Sequence, residues 1–161
     1  MFRRRSRSPV EQGLPLRSRP VEPGGGTLIL PTTPVLQQIL DEYGLKHSID
    51  SDGDLTVRWE KCSLFFFYYG ERNEVLQARM YLNRRFSVDM RSALVLMLDD
   101  WNRTKLFPKA YTVLPDDGMV AICAEHCFDF EVGATREQVK YTVGMWIDTL
   151  LRFVEWIDEQ V

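Results

Sequence analysis

Apolar residues recur every three or four positions in three stretches of the chain and every second position in most of the others, and these two periods set out its elements. Leu36, Ile39, Leu40 and Tyr43 stand at i, i+3, i+4 and i+7. With Thr33-Pro34 ahead and Gly44 behind, they predict a helix over 35–43, opened by a capping hydroxyl and stopped by a left-handed glycine. Met90, Leu94, Val95, Leu98 and Trp101 predict a second helix over 90–103, which Pro108 cannot continue. Thr135-Arg136-Glu137-Gln138 has the form of a capping box and opens a third helix over 136–158. Its main stripe is Val139, Val143, Trp146, Ile147, Leu150, Val154 and Ile157. Met145, Phe153 and Trp156 widen it, as either a second contact surface or large side chains wrapping the helix end.

The period of two fills the intervals. Ser51-Asp52-Gly53 separates two alternating segments, and a three-residue loop with Gly53 left-handed pairs Ile49 with Leu55, His47 with Val57 and Leu45 with Trp59. A two-residue turn would mix their faces. Residues 63–69 are apolar at both parities, which predicts a strand covered on both faces. Leu76, Ala78, Met80 and Leu82 alternate with more polar neighbours. A four-residue turn, Pro115-Asp116-Asp117-Gly118, would match Tyr111 and Val113 with Ile122 and Val120.

Composition then places the chain. Its 161 residues are 45% hydrophobic and 12% aromatic, enough for one folded domain. Residues 1–31, rich in Arg, Ser, Pro and Gly and without apolar periodicity, are expected to form a disordered basic tail ahead of a domain over 32–161. No apolar run approaches the roughly 18 residues of a membrane span. The charged start, Met1 to Ser8, leads into Pro9, Glu11 and Gln12 rather than an apolar segment, so a cytoplasmic location is expected. Three cysteines fit a reducing compartment; Cys123 and Cys127, on one strand, would lie about 13 Å apart and cannot bridge. Residues 1–26 carry six arginines and two glutamates, whereas the remainder carries 14 basic and 21 acidic residues. An acidic body makes nucleic acid an unexpected partner, save for weak, salt-sensitive contacts through Arg3, Arg4, Arg5 and Arg7, where Ser6 and Ser8 are placed for phosphorylation.

No catalytic constellation emerges. His47 and His126 belong to no triad or metal motif, and Gly24-Gly25-Gly26 lacks the Lys-Ser/Thr of a phosphate-binding loop. Asp99 and Asp100 diverge by about 100° on a helix. Asp50-Ser51-Asp52-Gly53-Asp54 lacks the glycine and glutamate positions of a calcium loop. A cation or small-ligand sensor built on the acidic hairpin ends, Asp50, Asp52, Asp54, Asp116 and Asp117, is the rival to a binding protein. No metal, cofactor or enzymatic activity is expected. Phe65, Phe67, Tyr69, Tyr81 and Trp101 are the candidate partner contacts, because large aromatic side chains dominate such interfaces.

Asp50-x-Asp-Gly-Asp54-Leu55, Trp59, Phe65-Phe66-Phe67, Trp101-Asn102-Arg103, Phe107-Pro108-Lys109-Ala110-Tyr111, Asp116-Asp117-Gly118 and Glu125 together resemble the bacterial YbjN family over roughly residues 34–158. Phe107 stands where that pattern has tryptophan. The resemblance implies an α+β fold similar to class I type III secretion chaperones: an antiparallel five-stranded sheet in the order helix, three strands, helix, two strands, helix. It also implies a regulator that binds another polypeptide, with no catalytic site. With helix 35–43 and one stripe of helix 136–158 on one face of the sheet and helix 90–103 able to cover only part of the other, the bookkeeping of apolar faces adds a homodimer, because a lone copy would leave an apolar patch exposed.

Overall fold

The structure, a computed structural model, describes residues 26–161. The arginines and serines of the first eight residues lie outside the described residues. Among these, α1 (Thr33–Glu42) precedes β1 (His47–Ile49), β2 (Leu55–Arg58), β3 (Cys62–Tyr69) and β4 (Val75–Leu82). Then come α2 (Arg91–Thr104), β5 (Lys109–Val113), β6 (Ala121–Asp129) and α3 (Arg136–Gln160). All six strands form one antiparallel sheet in the order β1-β2-β3-β4-β6-β5. The five strands expected are therefore six, and four rather than three follow the first helix. The hairpin that the sequence pairs supplies two of these four, β1 and β2, where the five-strand pattern implied by the resemblance leaves room for one. Asp50 Oδ1 accepts the backbone N–H groups of Asp52 and Asp54, at 3.0 and 2.9 Å, and Ser48 Oγ meets Thr56 Oγ1 at 2.9 Å. His47 pairs with Val57 and Ile49 with Leu55, the register that the Gly53 loop predicts.

Helix residues Leu36, Ile39, Leu94, Leu98, Val143, Leu150 and Val154 share one core with the even-numbered residues of β3, β4 and β6. Leu64, Phe66, Ala78, Met80, Ile122 and Ala124 are all nearly inaccessible there. The three helices thus stack on a single side of the sheet. The excess aromatics of α3 are used within the chain: Phe153 and Trp156 pack on Trp101 of α2, with ring centroids 5.0 and 4.8 Å apart. Strand β3 is consequently not covered on both faces as expected, because no described helix lies over Phe65, Phe67 and Tyr69.

Two further expectations change. Tyr111 faces Cys123 and Val113 faces Ala121, one residue from the predicted register. Val120 is exchanged into a bridge with Phe86, N–H to carbonyl in both directions at 2.9 and 2.8 Å, which lengthens the connection beyond four residues. The end of the expected tail is also tied down. Leu28-Ile29-Leu30 is apolar, and Ile29 bridges Ala134 ahead of α3, at 2.8 and 3.0 Å.

Candidate functional site: the open sheet face

Side chains alternate across a strand, so the residues opposite in parity to the core lie on the other face. One cross-strand row there runs Ser48, Thr56, Phe65, Arg79, Glu125 and Lys109. The next runs Arg58, Ser63, Tyr81, Cys123 and Tyr111. A third row runs Phe67, Gln77 and Cys127, and a fourth Tyr69, Val75 and Asp129. Phe65 and Phe67 are parallel, 6.0 Å apart, and Tyr81 meets Phe65 edge-on at 5.9 Å. Arg58 lies over Phe65, Arg79 over Phe67 and Lys109 over Tyr111, each within 6 Å of the ring centre.

At the centre of the face sits Glu125, almost wholly buried. Its carboxylate accepts from Lys109 Nζ at 2.6 Å, Tyr111 Oη at 2.5 Å and Arg79 Nε at 3.1 Å. Burial by itself would raise this carboxyl's pKa, but the bonds from Lys109, Tyr111 and Arg79 and the charge of Lys109 outweigh it and hold the group ionised below its usual range. Tyr69 donates to Gln77 at 3.0 Å, and Ser63 to Asn83 at 3.1 Å. With their polar atoms already partnered, the groups left to meet another molecule are ring surfaces and guanidinium edges. Nothing in the row pairs a nucleophile with a base: burial pushes the Cys123 thiol up to about 11.

Four of the five aromatic candidates, Phe65, Phe67, Tyr69 and Tyr81, come together here. Trp101 does not: it is buried on the helix side, its Nε1 donating to the Pro108 carbonyl at 3.0 Å. The next residue, Asn102, binds both backbone groups of Ala110, donating from Nδ2 at 2.8 Å and accepting at Oδ1 at 3.0 Å. The Trp-Asn pair and the Pro-Lys-Ala run that carry the family resemblance are therefore one device, which fastens α2 to the edge of the sheet. The acidic hairpin ends are not brought together, since β1–β2 and β5–β6 lie at opposite edges. Among the described residues no cluster of three or more His, Cys, Asp or Glu side chains is placed to hold a metal ion. Arg58, Arg79, Tyr111 and Glu125 escaped sequence reasoning as site residues; their shared parity with Phe65 and Phe67 across four strands was the available signal.

Among the described residues no helix is long and apolar enough to cross a membrane. No curated protein matches the chain in sequence. The fold is similar to that in the crystal structure of YbjN, "a putative transcription regulator from E. coli", at a TM-score of 0.70 and 15% identity, covering 83% of this chain and 96% of that one. The sequence profile of the YbjN family, described as "Putative bacterial sensory transduction regulator", matches residues 33–159. Spanning nearly all of the described fold, that match places this chain in the YbjN family.

Proposed function

We propose that the chain is a non-enzymatic regulatory protein that acts by holding another polypeptide against the open face of its sheet. The observation that carries this reading is the face itself: Phe65, Phe67, Tyr69 and Tyr81 stand together with no described element above them. Contiguous aromatic surface of this kind marks interaction sites, and its arginines supply the residue type that most often anchors them alongside aromatics. The family description as regulators agrees with a role in binding rather than catalysis. The partner suited to it is apolar with some acidic character, because three cations, Arg58, Arg79 and Lys109, face Glu125 and Asp129 there. A second copy of the chain would match the apolar part of this surface but not its charge.

Site-specific photo-crosslinking in living cells tests this directly. A photoreactive phenylalanine at position 67 or 69 is expected to yield polypeptide adducts, whereas one at the exposed Leu96 of α2, on the helix side, gives none. Absence of adducts at both face positions across several growth conditions would reject the reading.

A further inference from the structure

Strand β6 runs on past the strand beside it. β5 begins at Lys109, opposite Glu125, while β6 continues to Asp129. Asn102 holds the N–H and C=O of Ala110, and Trp101 the carbonyl of Pro108, all on the side of β5 away from β6. Residues of an antiparallel strand point both backbone groups alternately to one neighbour and the other. Lys109, Tyr111 and Val113 are therefore the residues bonded to β6, through Glu125, Cys123 and Ala121. Continued along β6, the same alternation aims the N–H and C=O of Cys127 and Asp129 at the place where β5 is missing.

Burial changes at the same point. Residues 121–126 are all buried, and Cys127, Phe128 and Asp129 are exposed at both parities. No described strand fills the gap, which opens as a cleft of about 510 Å³ bounded by Lys105, Leu106, Phe107, Lys109 and Cys127. Leu106 is 88% exposed, Phe107 51% and Phe128 55%. Asn102 occupies the outer edge of β5 at Ala110, whereas here bare backbone lies beside exposed apolar side chains.

We propose that the notch takes the C-terminal residues of another polypeptide as a short added strand. Backbone groups aimed sideways from a strand are satisfied by an extended chain. A chain antiparallel to β6 would enter beside Asp129 and, at roughly 3.3 Å per residue, meet Pro108 and Lys109 after about two or three residues. It has to end there. That end carries Lys105, which makes no ion pair among the described residues, and Lys109, which Glu125 already holds. A terminal carboxylate is the complementary group. An apolar side chain on the helix side of the added strand packs between Phe107 and Phe128.

The notch is distinct from the aromatic face, so crosslinking at position 67 can fail while this holds, and the reverse. The test uses the full chain with a random hexapeptide library bearing free C-termini. Each selected peptide is also made as its C-terminal amide, and backbone amide exchange is followed residue by residue. In the free chain the Cys127 and Asp129 amides exchange fast. Selected peptides carry an apolar residue near their end, slow both amides, and lose about tenfold or more in affinity on amidation or on Lys105→Glu, an exposed change that leaves the fold intact. Slow exchange in the dilute free chain, protection that rises with protein concentration alone, binding indifferent to amidation, or no selected peptide would each overturn the proposal. Concentration-dependent protection would assign the notch to a second copy.

Discussion

At His126 burial moves one residue's chemistry far from its value in water. Its ring lies parallel to Trp146, 5.5 Å away, with the tilted ring of Phe107 at 5.4 Å. Nε2 lies 2.8 Å from Thr149 Oγ1, whose own hydrogen points to the carbonyls of Met145 and Trp146. The hydroxyl must then accept, so Nε2 carries a proton. Burial lowers the pKa from 6.5 to about 4. The folded state thus binds its proton later than the unfolded state, so stability is full above about pH 6.5 and falls as pH drops towards 4, by about 3 kcal/mol in all. His126→Phe keeps the stack and cannot titrate. Urea unfolding between pH 4 and 7 should show a flatter stability profile for that variant than for the native chain, and equal slopes would refute the assignment. The strand parity of His126 was legible in sequence. Its partners, 20 and 23 residues further on in another element, were not.

At the scale of elements, Asn102 does for β5 what a neighbouring strand would do. Its amide reproduces a strand's donor and acceptor against Ala110, which is buried. Asn102→Ala leaves both groups without a protein partner and reopens the edge. The expected loss is on the order of 1–3 kcal/mol, with faster aggregation on warming, measured by denaturant titration and turbidity. A variant as stable as the native chain would contradict this role. The same part of the fold separates what sequence could and could not give. The first hairpin was readable because its apolar faces agree in only one register and Gly53 supplies the left-handed turn that register needs, at φ 90°. The second slipped by one because Val120 is claimed by Phe86, 34 residues earlier, a competition no local pattern reveals. Likewise the Trp101-Asn102 pair was visible as spacing, while its use as a backbone clamp requires the bend at Pro108 to be known.

For the molecule as a whole, the consequential difference lies in the side on which α2 packs. Apolar residues at both parities of β3 read as two covered faces, and partial cover of the second by α2 was the natural assignment. Trp101 instead joins Phe153 and Trp156, so all three helices protect one side and the aromatic face is left larger than expected. That enlarges the apolar gain from self-association, since burying such surface is worth roughly 25 cal/mol per Å². Charge opposes it. A two-fold partner would set Arg58, Arg79 and Lys109 of one copy near the same cations of the other, only partly offset by Glu125 and Asp129. Repulsion between exposed like charges is screened by salt, with a Debye length of about 10 Å at 0.1 M and 3 Å at 1 M. A homodimer on this face should therefore strengthen as salt rises. An acidic partner on the same face should instead be released. Light scattering on the full chain at high micromolar concentration is expected to move from the 18.8 kDa monomer towards twice that mass between low and molar salt. Phe67→Lys should abolish the shift. A monomeric mass under every condition would exclude the second copy and leave the aromatic face to a different, acidic polypeptide, while a dimer that weakens with salt would point to an interface elsewhere, built on opposite charges.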